Sequence, residues 1–209
     1  MRFKLDREKL KDAVRVIVDS CNPHDLGAVK LHKVLYYADM ISYLESGSPI
    51  TGAIYRKRPF GPTCDSLLGV LSELEGDGSI RIDEVAHYGY LKKEFRSLKR
   101  RNHSVLGESE LKIIESMINF VCHENTARSI SNFSHDVVWD MVDFGQEIPY
   151  HASLNWMPTE VSQSTLDEAT EVWSRIANTR PIRSSELESR VPTAFRARLL
   201  EHARQKPLS

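Results

Sequence analysis

Cysteine is scarce in this chain of 209 residues, which has only Cys21, Cys64 and Cys122. Three widely spaced cysteines neither build a disulfide framework nor supply the C-x-x-C pair of a zinc site. Long apolar runs are also missing. The N-terminus alternates charged and apolar residues, unlike a signal peptide, and no run approaches the roughly 20 residues that cross a bilayer. We therefore expect a cytoplasmic protein with reduced thiols and no membrane segment.

An excess of charge of one sign is missing as well. The 28 Lys and Arg residues nearly balance the 29 Asp and Glu residues, for a formal net charge of −1. No chain-wide positive field therefore attracts nucleic acid or an anionic membrane. The eight histidines form neither an H-x-x-x-H nor an H-E-x-x-H pattern, and we find no Gly-rich phosphate loop. The sequence predicts no metal and no cofactor.

The composition that is present, 41% hydrophobic and 27% charged, is ordinary for a protein with one substantial core. We expect a mostly helical α+β fold, with a small antiparallel sheet or hairpin and a winged-helix-like element. The expected domain covers residues 1–155. Residues 156–209 are expected to form a C-terminal helix and a basic tail, which pack on that domain or extend from it.

Helical periodicity marks the first half of the chain. Asp6 can cap a first helix, which Asn22 and Pro23 end. A second helix, from about Gly27 to Leu44, is apolar around most of its circumference, which is typical of a central helix. Pro62 is expected in the first turn of a third helix. The inward face of that helix is predicted to carry Leu67, Leu68, Leu71 and Leu74.

Strand signals alternate with these helices. Ile50 to Phe60 favours β structure, and Ser79–Val85 and Tyr90–Leu98 are expected to pair as a hairpin. A fifth helix is predicted to begin with Ser134 as its N-cap and to end at Gly145. The order helix, strand, helix, hairpin is that of a winged-helix-like unit. We expect one core to contain Leu31, Leu35, Tyr36, Ala38, Leu67, Leu71 and Trp139.

Three groups of residues stand out by their order and spacing. They are Lys30 to Asp39, Phe60-Gly61-Pro62, and Ser131 to His135 with Trp139, Gly145, Ile148 and Pro149. Together they resemble the SocA-like antitoxin domain, also called Panacea, over roughly residues 26 to 150. The family most often has Gln or a similar residue at His32 and Val at Thr63. The motif positions are Lys30, Leu31, Lys33, Tyr36, Tyr37, Ala38, Gly61, Pro62, Ser134, His135, Trp139 and Pro149.

In that family the domain neutralises toxins of many unrelated kinds, usually encoded beside it, in bacteria and their phages. The resemblance implies a phage-associated antitoxin, not an enzyme, which binds a cognate protein toxin encoded by the adjacent gene. Neutralisation would be stoichiometric. The sequence favours no particular oligomeric state.

The motif residues themselves favour an architectural interpretation. The heads of Lys30 and Lys33 are expected in water, above stems that cover apolar surface, or in a positive patch that meets an acidic toxin surface. Cys64 is either a small apolar residue or, at a helix start, a thiolate. Ser134 is interpreted as a cap rather than as a nucleophile, and His135 as a local partner of Trp139.

Possible partner contacts lie outside these motifs. They are the basic strand residues Lys92, Lys93 and Arg96, which Lys99, Arg100 and Arg101 follow, and the apolar residues Trp156, Phe195 and Leu199. The basic run is interpreted as a solvated edge strand or as a weak DNA contact, and the apolar residues as toxin contacts or as docking onto the chain's own core. The alternative functions are a winged-helix-like DNA-binding regulator, a hydrolase that uses Cys64 or Ser134, and a prophage accessory protein without a toxin.

Overall fold

The computed structural model describes residues 3–87, 89–99, 104–157 and 171. The chain divides into two compact units, Met1–Leu154 and Asn155–Ser209, and the architecture below is that of the first unit. Its fold is mostly helical α+β with two small antiparallel sheets, which confirms the predicted fold class. The predicted helix after Thr165, the tail and its residues Phe195 and Leu199 lie outside the described residues.

Helices supply most of the first unit. A short π-helical turn, Asn119–His123, continues the fourth helix, and a 3-10 helix, Tyr150–Trp156, ends the described segment. The α-helices are α1 Arg7–Ser20, α2 Ala28–Ser46, α3 Leu67–Gly76, α4 Glu108–Ile118, α5 Ala127–Phe133 and α6 Val137–Asp140.

The strands form two antiparallel pairs. Strand β1, Tyr55–Arg56, pairs with β2, Thr63–Cys64, so the predicted strand over Ile50 to Phe60 contracts to two residues. Strand β3, Ile80–His87, pairs with β4, Tyr90–Ser97, over their full lengths. This second pair confirms the predicted hairpin.

Helix α2 is the centre of the first unit, as its apolar circumference predicts. Helices α1, α4 and α5 and strand β2 all pack against it. Gly27 is its N-cap, and Gly47, with φ of 76°, ends it by donating its backbone N–H to the Tyr43 carbonyl. Six of the seven predicted core residues are buried, while Trp139 is half-buried.

The start of helix α3 was predicted wrongly. Strand β2 lies between Pro62 and the helix, which begins at Leu67, so Pro62 is not in its first turn. The buried side chains of α3 are Leu67, Val70, Leu71 and Leu74, the i, i+3, i+4, i+7 stripe of a helix with one covered face. Leu68 falls outside that stripe and is 69% exposed, so its predicted burial is wrong.

The fifth helix, predicted from Ser134 to Gly145, is reduced to α6, Val137–Asp140, and the separate helix α5 ends just before Ser134. Ser134 ends α5 instead of capping a helix, and α6 begins after Asp136, whose carboxylate accepts from the backbone N–H groups of Val138 and Trp139. Thr126 caps the start of α5. Serine and aspartate are about equally good N-caps, and in the structure the Asp136 carboxylate takes the cap position of α6.

Candidate functional site

Motif residues from three parts of the chain meet at Gly61. The Gly61 backbone has a φ of +88°, and a Cβ atom added there would overlap the Ser134 hydroxyl and would lie 2.5 Å from Lys33 Nζ. Only glycine leaves room for this approach and adopts this backbone conformation without strain. The sequence identified all three residues as motif positions without indicating that they touch.

Lys33 is a buried cation, only 1% exposed. Its Nζ donates to the Pro62 carbonyl at 2.9 Å. Burial lowers the pKa of the ammonium from its ordinary 10.5 to about 7, and the nearby Asp136 carboxylate opposes that change. Lys30 is also buried and donates to the Cys122 carbonyl at 3.0 Å. The expectation that both heads lie in water is therefore wrong.

The buried Lys33 should make the stability of the fold depend on pH. Between about pH 7 and 10.5 the unfolded chain carries a proton on Lys33 that the folded chain has lost, so this contribution to stability rises with pH. One pKa unit corresponds to about 1.4 kcal/mol. We expect the difference in unfolding free energy between wild type and Lys33→Met to shift in favour of wild type by roughly 1–2 kcal/mol from about pH 7 to about pH 9.

Urea unfolding of both proteins over that range measures the effect. The comparison cancels the opposite trend from Cys64 and the buried tyrosines, whose pKa values burial raises. Lys112→Met is the matched control, because the Lys112 side chain is 66% exposed. A pH-independent difference for Lys33→Met would show that the folded state keeps Lys33 protonated.

Ser134 and His135 are neighbours in sequence with separate contacts. The Ser134 hydroxyl, 1% exposed, donates to the Ser131 carbonyl at 2.8 Å. The His135 ring stacks on Trp139 with centroids 4.2 Å apart. Within the described residues no hydrogen bond joins the Ser134 hydroxyl to His135, so the geometry of an activated serine is not formed here.

Cys64 lies in strand β2 and is 2% exposed. Burial raises the pKa of its thiol to about 12, so the interpretation as a thiolate is wrong. The Cys64 backbone N–H donates to His32 Nδ1 at 3.1 Å, and burial lowers the pKa of His32 to about 4. A neutral imidazole here accepts a backbone bond, which is a structural role for His32.

Asp39 organises the other end of helix α2, and sequence reasoning assigned it no role. Its fully buried carboxylate accepts from the Thr51 backbone at 2.7 Å, the Thr51 hydroxyl at 2.5 Å, the Tyr55 hydroxyl at 2.8 Å and the Tyr150 hydroxyl at 3.2 Å. Burial raises the pKa of this carboxyl, and the four hydrogen bonds oppose the rise. One carboxylate thus connects α2 to β1 and to the 3-10 helix.

An aromatic patch is exposed beside the buried motif residues. We define it as Phe60, His135, Trp139 and Phe144. Phe60 is 69% exposed and Phe144 is 63% exposed, while Trp139 packs edge-on against Phe144 with centroids 5.6 Å apart. Lys57 Nζ lies 3.8 Å from the centre of the Trp139 ring. The sequence had marked Trp139 and His135 as motif positions, but not the exposure of the two phenylalanines.

The basic strand residues are largely paired within the protein. Lys92 bonds to the His24 carbonyl and lies 3.7 Å from Glu94. Arg96 pairs with Asp83 at 3.0 Å and with Glu94 at 3.3 Å. Among the described residues, Lys93 has no ion pair. These internal partners reduce the positive field that the sequence suggested along β4.

The other sequence-predicted residues are mostly interior. Trp156 is 1% exposed in the second unit, and Pro149 is half-buried just before the 3-10 helix. The remaining motif positions are buried, namely Leu31, Tyr36, Tyr37, Ala38 and Pro62. In the part of the chain that the structure describes, no three His, Cys, Asp or Glu side chains are grouped to hold a metal ion.

Fold and site together define a mostly helical α+β domain whose motif residues build the interior and leave an aromatic patch at the surface. Residues 31–140 match the family model described as antitoxin SocA-like, Panacea domain. The chain belongs to this family of antitoxin domains, as its motifs indicated. No curated protein and no solved structure matches it. Within the described residues, no helix combines the length and apolar character that a membrane crossing requires.

Proposed function

We propose that this chain is an antitoxin that neutralises a partner toxin by direct protein–protein binding, and that the toxin is encoded by the adjacent gene. Membership of the SocA-like antitoxin family supports the role in general. The observation that carries direct binding is the aromatic patch. Ring contacts join His135, Trp139 and Phe144, and both Phe144 and Phe60, which precedes Gly61, are largely exposed.

The composition of the aromatic patch suits a contact surface. Phe and Trp side chains bury large areas on association, and binding energy concentrates in a few such anchors. The stacking of His135 on Trp139 and the contact of Trp139 with Phe144 hold the rings in place before a partner arrives. Side chains that are already ordered lose less entropy on binding, which favours tight association.

Internal ion pairs make duplex DNA a less suitable partner. Lys92 and Arg96 both pair with Glu94. Binding to DNA phosphates draws its affinity from free cations that displace counterions. Paired cations contribute less, so β4 favours a protein partner over a nucleic acid.

Co-expression with the adjacent reading frame tests the proposed function. We expect the chain to restore growth that the neighbour's product inhibits, and to co-purify with that product in a stable complex. Rescue of growth without a physical complex would contradict direct binding. Absence of rescue would contradict the antitoxin role for that gene pair.

The double variant Phe60→Ser/Phe144→Ser should weaken toxin binding by tenfold or more, since an interface anchor contributes about 1–2 kcal/mol or more. The fold should persist, because both side chains are more than 60% exposed. Leu68→Ser is the matched control, with 69% exposure on helix α3. Calorimetric titration measures both affinities, and equal affinities for the two variants would exclude the aromatic patch as the contact.

A further inference from the structure

An open cleft of about 740 Å³ lies between the N-terminus of helix α2, strand β4 and the segment from the π-helical turn to α5. Lys30, Lys92 and Lys93 line it, together with His24 and His123. We call it the basic cleft. It shares no residue with the aromatic patch. Lys30 is a family motif position and Lys92 and Lys93 are among the possible partner contacts of the sequence analysis, but the sequence did not indicate that the three line one cleft.

Lys30 gives the basic cleft a buried cation that forms no ion pair with a described Asp or Glu. The side chain is only 7% exposed, and its Nζ has one acceptor among the described residues, the Cys122 carbonyl at 3.0 Å. An ammonium has three donors, so two of its N–H groups have no hydrogen-bond acceptor among the described residues. A buried charge is costly unless an opposite charge or further hydrogen bonds compensate it. An anion in the cleft would supply both.

The neighbouring groups add to this positive field. Gly27, the N-cap of helix α2, has no side chain to accept from the first backbone N–H groups, and the N-terminus of a helix of 19 residues carries a partial positive charge. Lys93 is exposed and has no ion pair among the described residues. Lys92 is held beside Glu94, and Asp25, the one carboxylate on the lining, is exposed.

We propose that the basic cleft binds an acidic segment of the partner toxin, with a carboxylate between Lys30, Lys93 and the N-terminus of helix α2. This inference rests on the proposed function. Charge complementarity identifies the occupant, because three positive features converge on one cleft. They are the buried Lys30 ammonium, the exposed Lys93, which has no ion pair among the described residues, and the N-terminus of α2, which has no side-chain cap. A segment of polypeptide fits an open cleft of this volume. The cleft and the aromatic patch would then contact separate parts of the same toxin.

Charge reversal at Lys93 in the full chain tests the proposal. We expect Lys93→Glu to weaken toxin binding by roughly tenfold at low salt, and by less at high salt, because screening shortens the range of the interaction. Lys112→Glu is the matched control, since Lys112 is also exposed, lies on α4 and does not line the cleft. A toxin in which an acidic residue is replaced by lysine should restore binding to Lys93→Glu.

Three outcomes separate the alternatives. Wild-type affinity and wild-type growth rescue with Lys93→Glu would overturn the cleft contact and leave the proposed function intact. A wild-type chain that binds no toxin would overturn both. Inorganic phosphate that saturates the isolated chain and loses its binding in Lys93→Glu, with toxin affinity unchanged, would show a site for small anions and would also overturn the proposal.

Lys30→Met provides an independent measurement. The methionine keeps an apolar stem and removes the buried charge, so the variant should melt at the wild-type temperature or above it. Toxin affinity should nevertheless fall about as far as for Lys93→Glu. Unchanged affinity in this stable variant would contradict a carboxylate near Lys30.

Discussion

Gly61→Ala is expected to lower the free energy of unfolding by roughly 2–5 kcal/mol. A non-glycine residue at a φ of +88° is strained, which costs about 1–2 kcal/mol. The added Cβ would also overlap the Ser134 hydroxyl and displace Lys33. Both side chains are 1% exposed, so neither can move into solvent without opening the interior.

Gly145→Ala separates the two costs. Gly145 has a similar φ of +83°, but a Cβ there would meet no atom within 4 Å. Gly145→Ala should therefore lower the free energy of unfolding only by the cost of backbone strain, about 1–2 kcal/mol. Denaturant unfolding of both variants measures the difference between their unfolding free energies. That difference is the cost of the steric overlap of the new Cβ with Lys33 and Ser134. Equal losses would mean that the buried pair adapts freely, contrary to the packing described for Gly61.

The features that sequence predicted best are those with local causes. Helix α2 and the β3–β4 hairpin follow from periodicity over many residues, and Gly47 ends α2 through a left-handed conformation that glycine favours. Asp6 caps α1 because its carboxylate reaches the Lys9 backbone N–H, three residues away. Such interactions need no knowledge of the rest of the chain.

Short-range competition between similar signals explains the errors. Ser134 and Asp136 are both good caps, and only the packed structure selects Asp136 for α6. Pro62 precedes a two-residue strand instead of a helix, because β1 needs a partner and β2 supplies it. Contacts between segments determine both the cap of α6 and the strand after Pro62, and the periodicity of the sequence does not indicate such contacts.

The candidate site was predictable in its residues and not in its geometry. The motifs named Lys33, Gly61 and Ser134, yet their mutual contact joins three distant segments. The ammonium groups of lysines usually lie in water, which was the expectation for Lys33. Its burial depends instead on a carbonyl and a carboxylate from elsewhere in the chain. The pairing of Arg96 with Asp83 across the hairpin likewise depends on register.

Asp39→Ala is expected to lower the free energy of unfolding by about 3–5 kcal/mol, a large share of the roughly 5–15 kcal/mol that holds a typical domain folded. The substitution deprives the Thr51 backbone N–H and the Tyr55 hydroxyl of their buried acceptor. Each unsatisfied buried donor costs about 1–3 kcal/mol. The Tyr150 hydroxyl is less affected, since it also donates to the Ala53 carbonyl at 2.6 Å.

Asp39→Asn is the matched control, because it keeps the size of the side chain and one carbonyl acceptor for the Thr51 backbone. Asp39→Asn should lower the free energy of unfolding by less than Asp39→Ala does. Thr51→Val removes the hydroxyl that donates to the same carboxylate, and combining it with Asp39→Ala tests whether the network acts as a unit. If it does, the double variant loses less stability than the two single variants added together, because the second change removes a donor that has already lost its acceptor. Additive losses, or a loss below about 1 kcal/mol for Asp39→Ala, would show that this carboxylate does not hold α2 to β1 and the 3-10 helix.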